Sequence, residues 1–260
     1  MARKARSLPA RAAVTAAVTG VLVAGVSACG ASADDDAHPD HRSFALHGRT
    51  LTVDSDDAGL EIVAAKGNKA GTVQVTRWFE GKVVVGGGPT VSWSFQDDRL
   101  RLRMHCSGLI ADCSAKYRIE VPQGVGVDVD EGNGSVRAHG FADALGIHTS
   151  NGEVHVTDST GPLDLRSDNG PIRAEAAASR VHAETSNGPV DLTLGRVPDR
   201  VDVTSDNGPV TVALPRAAYH VVKAESDNGG VSVSVPRDDR SPHTVSADSA
   251  NGKVTVRTAN

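Results

Sequence analysis

From residue 127 to residue 256, apolar and polar positions alternate in short runs, and each pair of runs is joined through Asn-Gly. The seven pairs begin at Asn133, Asn151, Asn169, Asn187, Asn207, Asn228 and Asn251, with spacings of 18, 18, 18, 20, 21 and 23 residues. Counted from each Asn, positions −6, −4, +3 and +5 are apolar in every unit; Val181, Ala183, Val190 and Leu192 fill them in the fourth. Position −2 is small or polar except in the first unit, where it is Glu131. Strict alternation on both sides of a corner predicts two short strands per unit, each with one buried face. A period near twenty predicts units that bury their apolar faces only by stacking on their neighbours.

Asn-Gly between alternating strands is a strong signal for a two-residue hairpin. Here Pro171, Pro189 and Pro209 follow it in three units. In such a hairpin that residue returns an N–H across the turn, and proline has none. A solenoid corner has no such requirement, since its strands pair with the equivalent strands of coils above and below. There the Asn is expected in the left-handed region with its amides stacked in a ladder. The expected fold is all-β: a single-domain, parallel β-helix-like solenoid of about seven coils over 122–260. At strand spacing, seven coils give a rod of about 34 Å.

Residues 44–121 are β-rich but less regular. Leu51-Thr52-Val53, Asp57-Ala58-Gly59 and Leu60-Glu61-Ile62 repeat the spacing with Asp57 in the Asn place, as a degenerate coil. Further strands are expected near 72–76, 90–95, 100–104 and 117–121. Trp78, Trp93, Phe44, Phe79 and Phe95 lie here, in a chain only 3% aromatic. Bulky, atypical units suit the exposed end of a stack, so this half is read as a cap. A ligand platform at Trp78-Phe79 is the competing reading.

The N-terminus has Arg3, Lys4, Arg6 and Arg11 before an apolar stretch of 14 residues, 12–25. That length suits a signal-peptide core and is short for a membrane span. Val26-Ser27-Ala28-Cys29 resembles the lipobox of bacterial lipoproteins, which implies a leader at 1–29, lipid on Cys29 and a polar tether at 30–43. Export leaves Cys106 and Cys113 as an isolated pair, expected as a local disulfide; a metal site would need further ligands, and none is suitably spaced. Removing four basic and no acidic leader residues takes the formal net charge from −5 to −9. That balance argues against nucleic acid and against adhesion to anionic lipid by general electrostatics.

Ser-Asp-Asn-Gly-Pro-Ile (167–172), Thr-Ser-Asn-Gly-Pro-Val (185–190) and Ser-Asp-Asn-Gly-Pro-Val (205–210) are similar to the tandem strands of a bacterial envelope family named for putative adhesins. The resemblance runs over about 44–260 and implies a β-helix; it brings no catalytic residues. Leader and composition resemble lipoproteins of high-GC actinobacteria.

In-register stacking predicts outward ladders. Position +4 places Arg137, His155 and Arg173 in a basic stripe on an acidic rod, a candidate site for an acidic glycan or phosphate polymer. Position −3 runs Asp130, His148, Arg166, Glu184, Thr204, Glu225, Asp248, with Arg166 expected to pair with a neighbouring coil. Asp168, Asp206 and Asp227 precede Asn-Gly and raise calcium, but the nonapeptide of calcium solenoids is absent and turn formation explains them. The ten His have no ligand spacing, and no Ser sits in a nucleophile elbow. No catalytic residue, metal or cofactor is expected. The reading is a non-catalytic envelope lipoprotein, anchored by lipid to the outer face of the cytoplasmic membrane, with an envelope glycan or surface protein as partner. A glycan-active β-helix enzyme and an envelope-stress sensor are the alternatives.

Overall fold

The computed structural model describes residues 32–65, 67, 71–109 and 111–259. The leader and Cys29 therefore lie outside the described residues. Among the described residues, twenty-one strands form two sheets facing each other across one core. The irregular half supplies β1 (Asp40–Ala45), β2 (Thr50–Ser55), β3 (Gly59–Ala65), β4 (Thr72–Val83), β5 (Thr90–Gln96), β6 (Arg99–His105) and β7 (Ala111–Pro122). The repeats supply β8 (Gly126–Glu131), β9 (Val136–His139), β10 (Leu145–Thr149), β11 (Val154–Ser159), β12 (Leu163–Ser167), β13 (Ile172–Ala176) and β14 (Arg180–Asn187). They continue with β15 (Val190–Leu194), β16 (Arg200–Asn207), β17 (Val210–Leu214), β18 (His220–Ser226), β19 (Val231–Val233), β20 (Thr244–Ser249) and β21 (Val254–Thr258).

In each repeat the strand before Asn-Gly joins one sheet and the strand after it joins the other. The coils pair parallel and in register, with Ile172 opposite Val190 and Val190 opposite Val210. Outside the sixth unit the four apolar positions point inward; Val181, Ala183, Val190 and Leu192 of the fourth are all buried. Parallel pairing leaves no N–H for Pro171, Pro189 or Pro209 to supply: their carbonyls accept from Val154, Ile172 and Val190 of adjacent coils instead. The architecture is an all-β solenoid.

Two features depart from the sequence reading. First, coils do not stack in chain order at either end. One sheet runs β6-β2-β8 and closes β16-β20-β18; the other runs β7-β3-β9 and closes β17-β21-β19. The last coil of the chain is thus inserted between the fifth Asn-Gly coil and the sixth, which becomes the end of the stack. The physical cause lies in which coil makes the better end. The 244–258 coil buries Val245, Ala247, Val254 and Val256 completely, whereas the 220–233 coil has a bulge beside Lys223, a three-residue strand and a half-exposed Val231. Bulges, charge and short strands are what blunt an open edge.

Second, the expected tether at 30–43 is packed structure over its described part. A 3-10 turn spans Ala33–Asp35, and β1 pairs antiparallel with β4. Lys116 Nζ donates to Asp34 Oδ1 at 2.8 Å, and the Phe79 N–H donates to Asp36 Oδ2 at 3.0 Å.

The cap itself is an aromatic plug. Phe44 stacks on Phe95 at 5.0 Å, and Trp93 contacts Phe44 and Tyr117. The Arg42 and Arg77 guanidinium groups each lie 4.7 Å from the Trp93 ring centroid. Burial pushes the Tyr117 phenol up to about 12. Phe79 packs on the core, and Lys116 lies over Trp78 at 5.7 Å. A hairpin of the kind that Asn-Gly first suggested does occur, between β5 and β6, but its two left-handed residues are Asp97 and Asp98.

Candidate interaction surface

The repeated corner is built from three columns. The outermost is the amide ladder: Nδ2 of Asn151, Asn169, Asn187 and Asn207 each donates to Oδ1 of the preceding Asn at 2.8, 3.0, 2.9 and 3.1 Å. Asn133 donates to Asp57 at the cap end; Asn251 donates to Asn207 and Asn228 to Asn251, following the spatial order. The expected left-handed conformation is absent. Among the described residues other than glycine, only Asp97, Asp98 and Asp158 have positive φ. The Asn therefore contributes an amide that donates and accepts at once, and not a left-handed backbone.

The glycine column beside it is steric. A Cβ on Gly188 would stand 2.7 Å from the Gly170 carbonyl carbon, and one on Gly208 would stand 2.5 Å from that of Gly188. The innermost column is a row of buried hydroxyls. Ser167, Thr185, Ser205 and Ser249 donate to the carbonyls of Gly152, Gly170, Gly188 and Gly208 at 3.2, 3.1, 3.0 and 2.8 Å. In the sequence, position −2 reads only as small or polar. The signal was there: a hydroxyl at a buried position needs an acceptor, and a glycine carbonyl in the next coil is within reach. Glu131 takes the same place in the first repeat, accepting from the N–H groups of Ala58 and Gly134. Burial raises its carboxyl above 4.5, despite those bonds.

Chemistry available to a partner lies on the outer faces. Arg137, His155 and Arg173 are direct neighbours on β9, β11 and β13. Glu61 flanks Arg137 and Asp191 flanks Arg173 in the same row, while Arg173 also pairs with Glu153. The cationic stripe is therefore short and framed by carboxylates. On the other sheet Asp54, Asp130, His148, Arg166, Glu184, Thr204, Asp248 and Glu225 form one row. Arg166 does not reach across coils as expected; it pairs with Asp164 of its own strand at 3.2 Å, and His148 takes the cross-coil contacts to Asp130 and Asp168. At the cap end Asp54 gathers Arg99, Arg101 and Arg103 at 3.4, 3.8 and 2.7 Å.

Concavities are shallow. One of about 430 Å³ lies between the N-terminal segment and β3, lined by Asp34, Glu61, Lys116 and Arg137. Another, of about 530 Å³, adjoins the Asp97-Asp98 turn. Asp98 there accepts from the His47 and Gly48 N–H groups; the His47 bond leads in holding its carboxyl below the usual value, which marks a turn-forming role. Among the described residues no three His, Cys, Asp or Glu side chains cluster as a metal site. Asp168, raised by the calcium motif, lies 3.5 Å from His148. Cys106 and Cys113 form a disulfide. No described helix is long and apolar enough to cross a membrane.

The family model described as Toastrack DUF4097 matches residues 104–260, more than half of the chain. The chain belongs to the Toastrack DUF4097 family. The match spans β7 and all the Asn-Gly coils, so the repeated corners lie wholly within the Toastrack region. Among solved structures, the chain is similar to a putative adhesin from Bacteroides fragilis, at 15% identity over 86% of this chain and 98% of that one, with a TM-score of 0.52. A putative adhesin from Parabacteroides distasonis is 12% identical over 86% and 98%, with a TM-score of 0.43. The likeness to the first extends the shared fold beyond the Toastrack match into the irregular half. Comparison with curated proteins gives no match.

Proposed function

We propose that this protein is an exported, lipid-anchored, adhesin-like rod that works by presenting its outer faces to an envelope partner, without catalysis. The observation that carries the reading is the alignment of Arg137, His155 and Arg173 on three successive parallel strands. Side chains about 4.8 Å apart on a rigid sheet engage a linear polyanion at several points without first having to be ordered. The flanking Glu61, Glu153 and Asp191 hold the row to a short segment of such a polymer. A basic-then-apolar leader ending at Cys29 supports export and anchoring, and the Cys106–Cys113 disulfide suits an oxidising compartment. The similar structure from Bacteroides fragilis is named a putative adhesin, which agrees with this class of function.

The test uses the full chain expressed in a bacterium that processes lipoproteins. Cell-envelope polyanion should be retained by the parent protein and lost from a double variant, Arg137→Glu with Arg173→Glu, whose thermal midpoint is unchanged. Equal retention by both would remove the stripe as the binding row. Cys29→Ala should release the protein from membranes or leave an uncleaved precursor; a mature, membrane-bound Cys29→Ala protein rules out the anchor.

A further inference from the structure

Past the Asn-Gly corner, strands of both sheets of the cap run on beyond the coil edge and make an arm. Gly59, the first residue of β3, pairs with Lys116, so residues 111–115 of β7 lie outside that coil while still paired with 79–83 of β4. Five residues at strand rise extend it by roughly 17 Å. Its end is ordered. The Cys106–Cys113 disulfide closes it from behind, the Leu109 N–H donates to the Val85 carbonyl at 2.8 Å, and a Cβ on Gly86 would stand 2.8 Å from the Gly108 Cα. This packing leaves Val84, Val85 and Leu109 facing solvent at 68%, 56% and 83% exposure. Segments 83–89 and 106–109 contain no charged residue, in a chain that is 23% charged. Single exposed apolar residues are ordinary, but three on one uncharged, braced tip are a contact surface.

A second observation says what the tip contacts. The N-terminal segment docks at the base of the same arm: Ala33 is buried, Asp34 pairs with Lys116, and Asp36 accepts from Phe79. Cys29 stands three residues before Ser32, so its backbone lies within roughly 11 Å of Ser32 by chain length alone. We propose that the arm tip is a membrane-contact element, with Val84, Val85 and Leu109 entering the interfacial layer of the bilayer that holds the lipid on Cys29. This inference rests on the lipid-anchored reading above. A lipid surface is the occupant indicated, because an anchor at the base of the arm keeps a bilayer within the reach of its tip. With two separate contacts at one end, the anchor and the tip together fix how the rod stands relative to the membrane. Because segments 83–89 and 106–109 carry no basic residue, insertion is expected in uncharged bilayers as well as anionic ones.

The experiment reconstitutes the mature lipidated chain into phosphatidylcholine vesicles with or without bromine-labelled acyl chains, which quench nearby tryptophan. Leu109→Trp is compared with the parent, whose own Trp78 and Trp93 set the background, and with Val231→Trp at the opposite end of the stack. Both substitutions are at exposed positions, and equal thermal midpoints verify folding. The expected result is a blue-shifted Leu109→Trp emission that loses most of its added intensity in brominated vesicles, with Val231→Trp unaffected. Protein that sediments with vesicles while the Trp at 109 stays unquenched overturns the tip alone and leaves the anchor standing. Protein that fails to sediment overturns the anchor, and the tip proposal with it.

Discussion

Replacing Gly188 by Ala separates two explanations of why Gly follows each corner Asn. If the glycine were needed for a left-handed backbone, the effect would be conformational; Gly188, however, does not have positive φ. The obstacle is the coil beside it. A Cβ at Gly188 would stand 2.7 Å from the Gly170 carbonyl carbon and 3.1 Å from the Pro171 nitrogen, both backbone atoms. The Gly170 carbonyl oxygen is nearer still, and an ordinary contact begins near 3.4 Å, so two backbones must separate by more than about 0.7 Å at a spacing fixed by inter-coil hydrogen bonds on both sides. Overpacking of that kind costs about 1–3 kcal/mol, and rigid backbone on both sides places this site at the upper end. The alanine returns about 0.4–1 kcal/mol by restricting the unfolded chain, which leaves a net loss near 2 kcal/mol. For a domain of this size that is a fall in thermal midpoint of roughly 4–8 °C. Gly195→Ala is the matched control, because the nearest atom its Cβ meets is the Ala176 carbonyl oxygen at 3.9 Å. It should be neutral or slightly stabilising. Thermal melts followed by circular dichroism decide the matter: equal midpoints for the two variants would falsify the close-stacking account.

Three further outcomes follow from the same corner. Thr185→Val keeps shape but removes the donor to the Gly170 carbonyl, and should cost about 1 kcal/mol in urea unfolding, against almost nothing for Thr211→Val on the outer face. Asn187→Ala breaks the amide ladder on both sides, to Asn169 and Asn207, and should cost about 1–2 kcal/mol; an unchanged urea midpoint would mean that the ladder adds no stability. Glu131 has a folded-state value raised above 4.5 by burial, so its contribution is fully present below 4.5 and is lost as pH rises through the folded value. Glu131→Gln keeps an acceptor for Ala58 and Gly134 and removes that dependence, so the stability difference between parent and variant should shift towards the variant as pH rises above 4.5. A difference that is flat with pH would show that the buried carboxyl is not the titrating group.

How much of this protein was legible beforehand depends on whether the information is local or relational. Val190 opposite Ile172 and Val210 followed from the sequence, because alternation fixes which face is buried and Pro189 excludes the hairpin that would have paired Val190 with Thr185. The amide column was also legible, since seven Asn at one place in a period must stack if the coils do. The outer row of Arg137, His155 and Arg173 came from the same register, but its framing by Glu61, Glu153 and Asp191 depends on side-chain reach and on the cap coil beside it.

Tertiary structure alone decided the order of the coils. Every unit offers its neighbours the same apolar positions, so the pattern that specifies stacking says nothing about which unit stacks on which. Differences at the margins decide it: the bulge at Lys223 and the short β19 suit an end, and the fully buried Val245, Ala247, Val254 and Val256 of β20 and β21 suit the interior. The packing of residues 32–45 was hidden for a similar reason. Asp34-Asp35-Asp36 is polar by composition, and only the Lys116 ammonium and the Phe79 N–H, both far along the chain, turn those carboxylates into docking groups. Sequence determined what each coil is made of, because burial and alternation are local; structure determined where each coil goes, because equivalent interfaces compete and small free-energy differences among them choose.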